Sequence, residues 1–263
     1  MLKDFKDCAV LILSCDKNES LLRIFFDFFN KNWNDCPFDI YLGVESSNMV
    51  FDHVTVLKSN EKSFCSRIKH YLKLINKEYV LIILDDFILE EKVYNSEIAR
   101  YYSIIHSNAF ISNLTLAWID GIESVYSDNI MAKAYNSNFL VNLQVGFWRT
   151  SVLQELIRPN ENAWEAELLG SIRARKYKDR ALFLHLSSDD DMPYKYNRGW
   201  LIVKGCWNGN EIRRLGLEKY ASCFLDGKPI IYEQFGKTSK FNSLKIRFSV
   251  FIRKLLSNIG VYF

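Results

Sequence analysis

Short apolar runs alternate with amphipathic segments along the first half of the chain. Runs rich in β-branched and aliphatic residues predict strands, whereas apolar residues three or four positions apart predict helices. The predicted strands are 8–14, 38–45, 53–58 and 79–84, and the predicted helices are 19–33 and 61–77. Strands separated by helices indicate a largely parallel sheet with helices on its faces.

The second half has a less regular pattern. Residues 142–157 predict a strand or turn that leads into a helix, Pro159 ends that segment, and residues 161–175 predict another helix. Short strands and loops are expected after it. Because no internal repeat or low-complexity linker interrupts the chain, we expect one domain over 1–236 and a separate tail over 237–263.

Composition limits the class of protein. The chain has 263 residues, of which 49% are hydrophobic and 15% aromatic, enough for a globular core. Its six cysteines have no metal-binding spacing and predict free thiols in a reducing compartment. No signal-peptide pattern occurs, and no apolar stretch reaches the roughly 18 residues that span a bilayer. These features predict a cytoplasmic protein.

The tail over 237–263 is the basic part of the chain. It contains six basic residues and no acidic one, while the whole chain has a net charge of +3. Its apolar residues recur every three or four positions, which predicts an amphipathic helix suited to an anionic membrane interface. Packing on the enzyme or on a partner subunit is the alternative. The body is mildly acidic and has no nucleic-acid-binding motif, so nucleic acid is not expected as a partner.

Two adjacent carboxylates, Asp85 and Asp86, directly follow the predicted strand 79–84. They are interpreted either as the start of a turn or as ligand-binding groups, since an unpaired carboxylate beside a buried strand is costly. Ligands of parallel sheets bind outside the carboxyl ends of the strands. Polar residues also follow the first strand, in the segment SCDKNE. Their convergence with the two carboxylates favours a ligand site.

Five segments, LILSCDKNE, LDDF, LQVGFWR, ENAWEAE and VKGCW, follow one another between about residues 8 and 210. In this order they resemble a family of bacterial GT-A-fold glycosyltransferases that build surface polysaccharides such as O-antigen and capsule. The resemblance implies a GT-A-like, Rossmann-like α/β fold with a mixed, mostly parallel sheet. It also implies inverting transfer of a sugar from a nucleotide donor, expected to be UDP-linked, to a saccharide acceptor that is expected to be lipid-linked.

Such a transfer passes through an oxocarbenium-like transition state while a diphosphate departs. The enzyme therefore neutralises the leaving group and removes a proton from the acceptor hydroxyl. The resemblance implies that Asp85 and Asp86 contact the ribose and a Mg²⁺ or Mn²⁺ ion. Phe87 replaces the last acid of the family's Asp-x-Asp pattern, so the metal would depend on Asp86 with waters, or be dispensable.

Other donor-site residues are expected on the first strand and the second helix. The resemblance places Ser14 and Asp16 beside the nucleotide base and ribose, and Arg67 beside the nucleotide sugar. Asp16 is alternatively a cap for the helix 19–33, because an Asp that precedes a helix commonly accepts hydrogen bonds from its first N–H groups. Arg67 is alternatively an ordinary solvated residue.

The catalytic base is expected in ENAWEAE. The resemblance favours Glu165, with Glu167 as the rival, and the two project about 200° apart on a helix, so they cannot share one task. Both are alternatively surface acids favoured by the dipole of the helix amino terminus.

Aromatic and polar residues are candidates for acceptor contacts. A tryptophan face packs well on the C–H face of a pyranose, although a place in the core is the commoner fate of tryptophan. His185 is a candidate second metal ligand, with a core histidine as the alternative. Asp189–Asp191 is interpreted first as a solvated loop and only second as a metal or acceptor site. The substrate-binding candidates are Gln144, Gly146, Trp148, Arg149 and Trp164.

Two rival functions remain open. A metal-dependent phosphotransferase or hydrolase built around Asp85 and Asp86 is disfavoured because the chain has neither a P-loop nor a His-rich metal cluster. A catalytically silent module that binds a nucleotide or a sugar is the rival from another class.

Overall fold

A computed structural model of the chain describes residues 5–178 and 180–232. The strands are β1 (Cys8–Leu13), β2 (Asp39–Val44), β3 (Val54–Lys58), β4 (Tyr79–Leu84), β5 (Ile111–Thr115), β6 (Glu123–Ser127), β7 (Ile130–Lys133), β8 (Gly146–Arg149), β9 (Leu182–Leu186), β10 (Ile202–Val203), β11 (Cys206–Asn208) and β12 (Ile230–Ile231). The helices are α1 (Glu19–Trp33), α2 (Phe64–Ile75), α3 (Asn95–Ser107), α4 (Thr150–Leu156), α5 (Ala163–Ala174) and α6 (Gly209–Arg214). Short 3₁₀ turns lie at Asp16–Asn18, Arg175–Tyr177, Asp189–Asp191 and Glu218–Leu225.

A nine-stranded sheet in the order β3-β2-β1-β4-β8-β5-β9-β7-β6 forms the centre of the fold. Strands β7 and β8 run opposite to the other seven. Strands β10, β11 and β12 form a second, small sheet. The mixed, mostly parallel sheet flanked by helices confirms the predicted α/β fold class.

Alternation along the strands gives the large sheet two apolar faces. Val10 and Ile12 of β1 pack in one cluster with α1 and α3, whereas Ala9 and Leu11 pack in the other with α2, α4 and α5. Successive side chains of a strand point to opposite faces, so a strand covered on both sides is apolar throughout, as all six residues of β1 are. The central strands are thereby buried between two layers of helices, whereas all residues of the edge strand β6 are exposed.

The predicted elements of the first half are present, with adjusted ends. Helix α1 has the predicted bounds, while α2 is shorter because Ser63 caps its start and Asn76, in the left-handed conformation, ends it. Helix α3 and strands β5 to β7 lie in a region for which the sequence pattern gave no prediction. The tail over 237–263 lies outside the described residues. Within the described ranges, none of the helices combines the length and apolar character that a bilayer crossing needs.

Candidate active site at the carboxyl edge of the sheet

Asp85 lies at the carboxyl end of β4 and is held by residues that follow β1. The parallel pairing of Leu13 with Leu84 places Ser14 beside Asp85. The Asp85 carboxylate accepts hydrogen bonds from Ser14 Oγ at 2.5 Å and from Asn18 Nδ2 at 3.0 Å. Burial raises the pKa of Asp85, and these two hydrogen bonds oppose the rise. The predicted association of Ser14 with the paired acids is present in the structure.

Asp86 is less enclosed than its neighbour. Burial, followed by the charge of Asp85, raises the pKa of Asp86. Of the two carboxylates, Ser14 and Asn18 donate to Asp85, and Asp86 is partly exposed.

Asp16 and Arg67 meet through Glu45, which follows β2. The Asp16 carboxylate accepts hydrogen bonds from the backbone N–H groups of Glu45, Ser46 and Ser47 at 2.9–3.1 Å. Burial alone would raise the pKa of Asp16, but the hydrogen bonds from Ser46 and its neighbours outweigh it and lower the pKa. Arg67 Nη2 lies 3.1 Å from Glu45 Oε1. Asp16 therefore orders the loop after β2, beside the edge where Asp85 lies.

Glu165 completes the amino terminus of α5. Its carboxylate accepts from the backbone N–H of Asn162 at 3.0 Å, while Asn162 Oδ1 accepts from the Glu165 N–H at 3.0 Å. This reciprocal pair is a capping box, which satisfies donors that the first helical turn leaves unpaired. The geometry gives Glu165 a structural role in the helix cap.

Glu167 has the electrostatic surroundings of a proton acceptor. Its Oε1 accepts from the backbone N–H of Leu143 at 2.8 Å. Burial raises the pKa of Glu167 to about 7, against the opposing effects of Leu143 and the Lys133 charge. Lys133 is itself buried, which lowers its pKa to about 7. A carboxylate with a pKa near neutral is suited to taking a proton at physiological pH.

A side-chain contact links the Glu167 region to the paired acids. The rings of Phe87, which follows Asp86, and Tyr196 have centroids 4.4 Å apart. The Tyr196 hydroxyl donates to Gln144 Oε1 at 2.6 Å, and Gln144 directly follows Leu143. The predicted residues Asp86, Gln144 and Glu167 thus belong to one connected part of the sheet edge.

His185 does not join Asp86, which corrects the predicted metal pair. It lies on β9, three strand positions from β4, or about 14 Å at the usual strand spacing. The ring is fully buried and its Nε2 lies 2.7 Å from Glu123 Oε2, while burial lowers its pKa to about 4. Among the described residues, no group of three or more His, Cys, Asp or Glu side chains is arranged to hold a metal ion. His185 therefore cannot complete a metal shell with Asp86, and metal binding by Asp86 with waters stays a prediction.

Three of the proposed acceptor contacts lie away from this edge or inside the core. Trp148 is fully buried between β4 and β5, so its indole has no face open to a sugar. Arg149 pairs with Tyr79, at the start of β4 and about 20 Å from Asp85, and forms an ion pair with Glu78. Gly146 is packed so tightly between strands that a Cβ would lie 3.0 Å from Leu114 O. Its role is close strand packing.

Trp164 remains a surface residue. Its side chain is 53% exposed, beside the capping box at the start of α5. The triplet Asp189–Asp191 forms a 3₁₀ turn in which Asp189 accepts from the Trp118 N–H at 2.9 Å and faces Arg198. This turn agrees with the interpretation of Asp189–Asp191 as a solvated loop.

Four residues of the site were not singled out from the sequence: Asn18, Glu45, Tyr196 and Arg198. Asn18 follows β1 and Glu45 follows β2. A polar residue after the carboxyl end of a parallel strand is a candidate for a ligand site, so their positions could have indicated both. Tyr196 and Arg198 come from a long loop after β9, and no local pattern connects that loop to Gln144.

No protein-family model matches the chain, and no curated protein sequence matches it significantly. Among solved structures, S. aureus TarS residues 1–349 in complex with UDP is 15% identical over 68% of this chain and 60% of that chain, with a TM-score of 0.45. A cytidylyltransferase from Leptospira borgpetersenii is 11% identical over 86% of this chain and 99% of that chain, with a TM-score of 0.45.

The mannosyltransferase PcManGT from Pyrobaculum calidifontis, in complex with GDP-Man and Mn²⁺, is 10% identical over 85% of this chain and 65% of that chain, with a TM-score of 0.48. This chain therefore spans less than two thirds of the UDP-bound TarS chain and of the PcManGT chain, and 80% of another structure of TarS residues 1–349. These values are too low for residue roles or substrates to be transferred from those proteins.

Proposed function

We propose that the protein is a glycosyltransferase that moves a sugar from a nucleoside-diphosphate donor to a saccharide acceptor. One observation carries the proposal: Ser14 and Asn18 hold Asp85, and Asp86 lies beside it at the carboxyl edge of a mostly parallel sheet. Ligands of such sheets bind at this edge. The finer expectations, an inverting reaction, a UDP-linked donor and a lipid-linked surface-polysaccharide acceptor, depend on the sequence resemblance.

The donor would lie across the ends of β2, β1 and β4. Asp16 fixes the loop after β2 through three backbone N–H groups, and Arg67 reaches the same loop through Glu45. The Arg67 guanidinium is paired with Glu45 in the structure and would meet the diphosphate of a donor by exchanging that ion pair, since a guanidinium suits such a group. Asp86 is assigned to the donor, and Asp85 positions the turn from which Asp86 projects.

The acceptor would enter on the other side of β4, near Gln144. In the transfer step, the acceptor hydroxyl oxygen forms a bond to the anomeric carbon while the bond from that carbon to the diphosphate oxygen breaks. The hydroxyl proton passes to Glu167, and the nucleoside diphosphate leaves with the electron pair. We assign the base to Glu167 rather than Glu165, because the Glu165 carboxylate already accepts the Asn162 N–H of the helix cap.

Nucleotide binding and turnover test this proposal together. We expect UDP, GDP or CDP to raise the melting temperature of the wild-type protein, measured with and without Mn²⁺. Asp86→Asn should lose most of that shift. Asp39→Asn is the matched control, because Asp39 begins β2 at the opposite edge of the sheet, where its exposed carboxylate forms an ion pair with Lys77.

Transfer is then measured as nucleoside diphosphate released from a panel of nucleotide sugars in the presence of simple glycosides. Nucleotide binding without release would support the silent binding module instead. No stabilisation by any of the three nucleotides would refute the donor site.

A further inference from the structure

Two exposed tryptophans lie in loops at the carboxyl edge of the sheet, and neither has a role in the donor site. Trp118 follows β5 and is 40% exposed, and Trp200 follows β9 in the chain and is 44% exposed. Large apolar side chains in contact with water are informative, because burying an indole would be favourable. Because the proposed donor site lies at the same edge, a ligand that covers the two indoles would account for their exposure.

The backbone at Trp118 is fixed on both sides by side chains from the loop after β9. Its N–H donates to Asp189 Oδ1 at 2.9 Å, and its carbonyl accepts from Arg198 Nη2 at 3.3 Å. Arg198 Nε also lies 3.4 Å from Asp189 Oδ2. The backbone at Trp118 is thereby held in place before a ligand arrives, and a backbone that is already ordered lowers the entropic cost of binding.

Trp200 is held in an unusual conformation close to the same arginine. Its φ is +52°, in the left-handed region that bulky residues rarely adopt. The carbonyl groups of Gly199 and Trp200 accept from Asn208 Nδ2 at 3.0 and 3.2 Å, which keeps this turn in place. Local strain of this kind is found where the surrounding structure directs a side chain to a task.

Polar groups suited to sugar hydroxyls are linked to the Trp118 backbone through Arg198. Arg198 Nη1 donates to Gln144 Oε1 at 2.9 Å and to the Tyr196 hydroxyl at 2.8 Å. Because Gln144 Oε1 accepts from both Tyr196 and Arg198, the carboxamide orientation is fixed. Within residues 5–178 and 180–232, the Gln144 amide nitrogen makes no hydrogen bond, so its two N–H groups are available to a ligand.

The strand order separates Trp118 and Gln144 from the donor side, whereas Trp200 leads into the small sheet, beside which Asp226 and Lys228 bond to Ser20 and Lys17 after β1. Strands β1 and β2 lie on one side of β4, whereas β8 and β5 lie on the other. The end of β5, which leads to Trp118, is two strand spacings or about 10 Å from β4. A sugar ring at Trp118 would therefore lie within one or two saccharide units of Asp86.

We propose that Trp118 and Trp200 form an acceptor subsite, in which pyranose rings of the acceptor saccharide pack on the indoles and a hydroxyl accepts from the Gln144 amide. Arg198 is a positioning residue that holds Trp118, Gln144 and Asp189. The acceptor role rests on the proposed glycosyltransferase function, whereas binding of a pyranose does not depend on it.

Saturation-transfer NMR tests the subsite with the methyl glycosides of glucose, galactose, mannose and N-acetylglucosamine. At least one of them should receive saturation from the wild-type protein, strongest at the C–H face of its ring. Trp118→Ala and Trp200→Ala should each reduce that signal at least threefold. Trp118→Gln provides a second variant, which keeps a long side chain and removes the aromatic face.

Phe110→Ala is the matched control, because Phe110 is 59% exposed and precedes β5 at the opposite edge of the sheet. It should leave the signal unchanged. Equal signals in the wild type and in the tryptophan variants would overturn the proposal, as would no saturation of any of the four glycosides. Melting shifts with UDP, GDP and CDP on the same samples report the donor site separately, so failure of the donor site and failure of the subsite are distinguished.

Discussion

The substitution Glu167→Gln separates the two acids of α5. Glutamine keeps the length of the side chain, and its oxygen can still accept the Leu143 N–H that lies 2.8 Å from Glu167 Oε1. What it removes is the ability to take a proton. Glu165→Gln is the matched control, two residues away on the same helix, and it alters only the helix cap.

The size of the effect follows from the role of the group. A positioned general base contributes about 10²–10⁴-fold to the rate, so kcat should fall by that factor in Glu167→Gln, equivalent to about 3–5 kcal/mol. Glu165→Gln should retain turnover within a few-fold and lose at most about 0.3–1 kcal/mol of stability, because glutamine can also complete the capping box and only the negative charge at the helix amino terminus is removed.

Stability gives an independent readout with a defined sign. The pKa of Glu167 is raised from 4.5 to about 7 on folding, so the folded state holds a proton that the unfolded state has released between these values. The contribution of Glu167 to wild-type stability therefore decreases as the pH rises from about 5 to 7, by at most about 3 kcal/mol, and Asp85 and Asp86, whose pKa values are also raised, add to the loss in both proteins. Glu167→Gln has no carboxyl group to titrate at this position. Its free energy of unfolding should therefore rise relative to that of the wild type over the same pH range.

Single-turnover transfer rates between pH 5.5 and 9, with urea unfolding over the same range, provide both readouts. The wild-type rate should rise with pH through about 7, and the residual rate of Glu167→Gln should lose this limb. The assignment is refuted if Glu165→Gln abolishes transfer while Glu167→Gln retains the wild-type rate and pH profile.

Two further predictions concern the supports of the site. Arg173 and Glu161 form a buried bidentate ion pair at 2.6–2.8 Å. Arg173→Met would leave the buried Glu161 charge unpaired, so the free energy of unfolding measured in urea should fall by about 3–5 kcal/mol. A fall of less than about 1 kcal/mol would contradict this expectation. The folded pKa of Asp16 lies below its unfolded value, so its contribution is present above the unfolded value and disappears as the pH falls through the folded one. Asp16→Ala should therefore lower the melting temperature at pH 7, and its effect should shrink as the pH falls below the unfolded value of 3.8; an effect that does not change with pH would exclude the charged hydrogen bonds as its cause.

Features that depend on local pattern were predictable from the sequence. Helix α1 has its predicted bounds because its apolar stripe and flanking polar residues are all local. Strand β4 and the position of Asp85 and Asp86 at its carboxyl end follow from a run of aliphatic residues that stops at two acids. The same reasoning indicated that Ser14 would lie at that edge, since adjacent parallel strands end together.

The order of strands in the sheet was decided only by the tertiary structure. Because β8 and β5 lie between β4 and β9, His185 is held away from Asp86, and because β8 is central, Trp148 is buried while Trp118 is exposed. The choice between Glu165 and Glu167 as the proposed base also depended on the folded structure. Asn162 engages the Glu165 carboxylate in a local helix cap, whereas Leu143, from a distant segment of the chain, donates its N–H to the Glu167 carboxylate. Local pattern specifies which face of an element is apolar, but only packing determines which elements become neighbours.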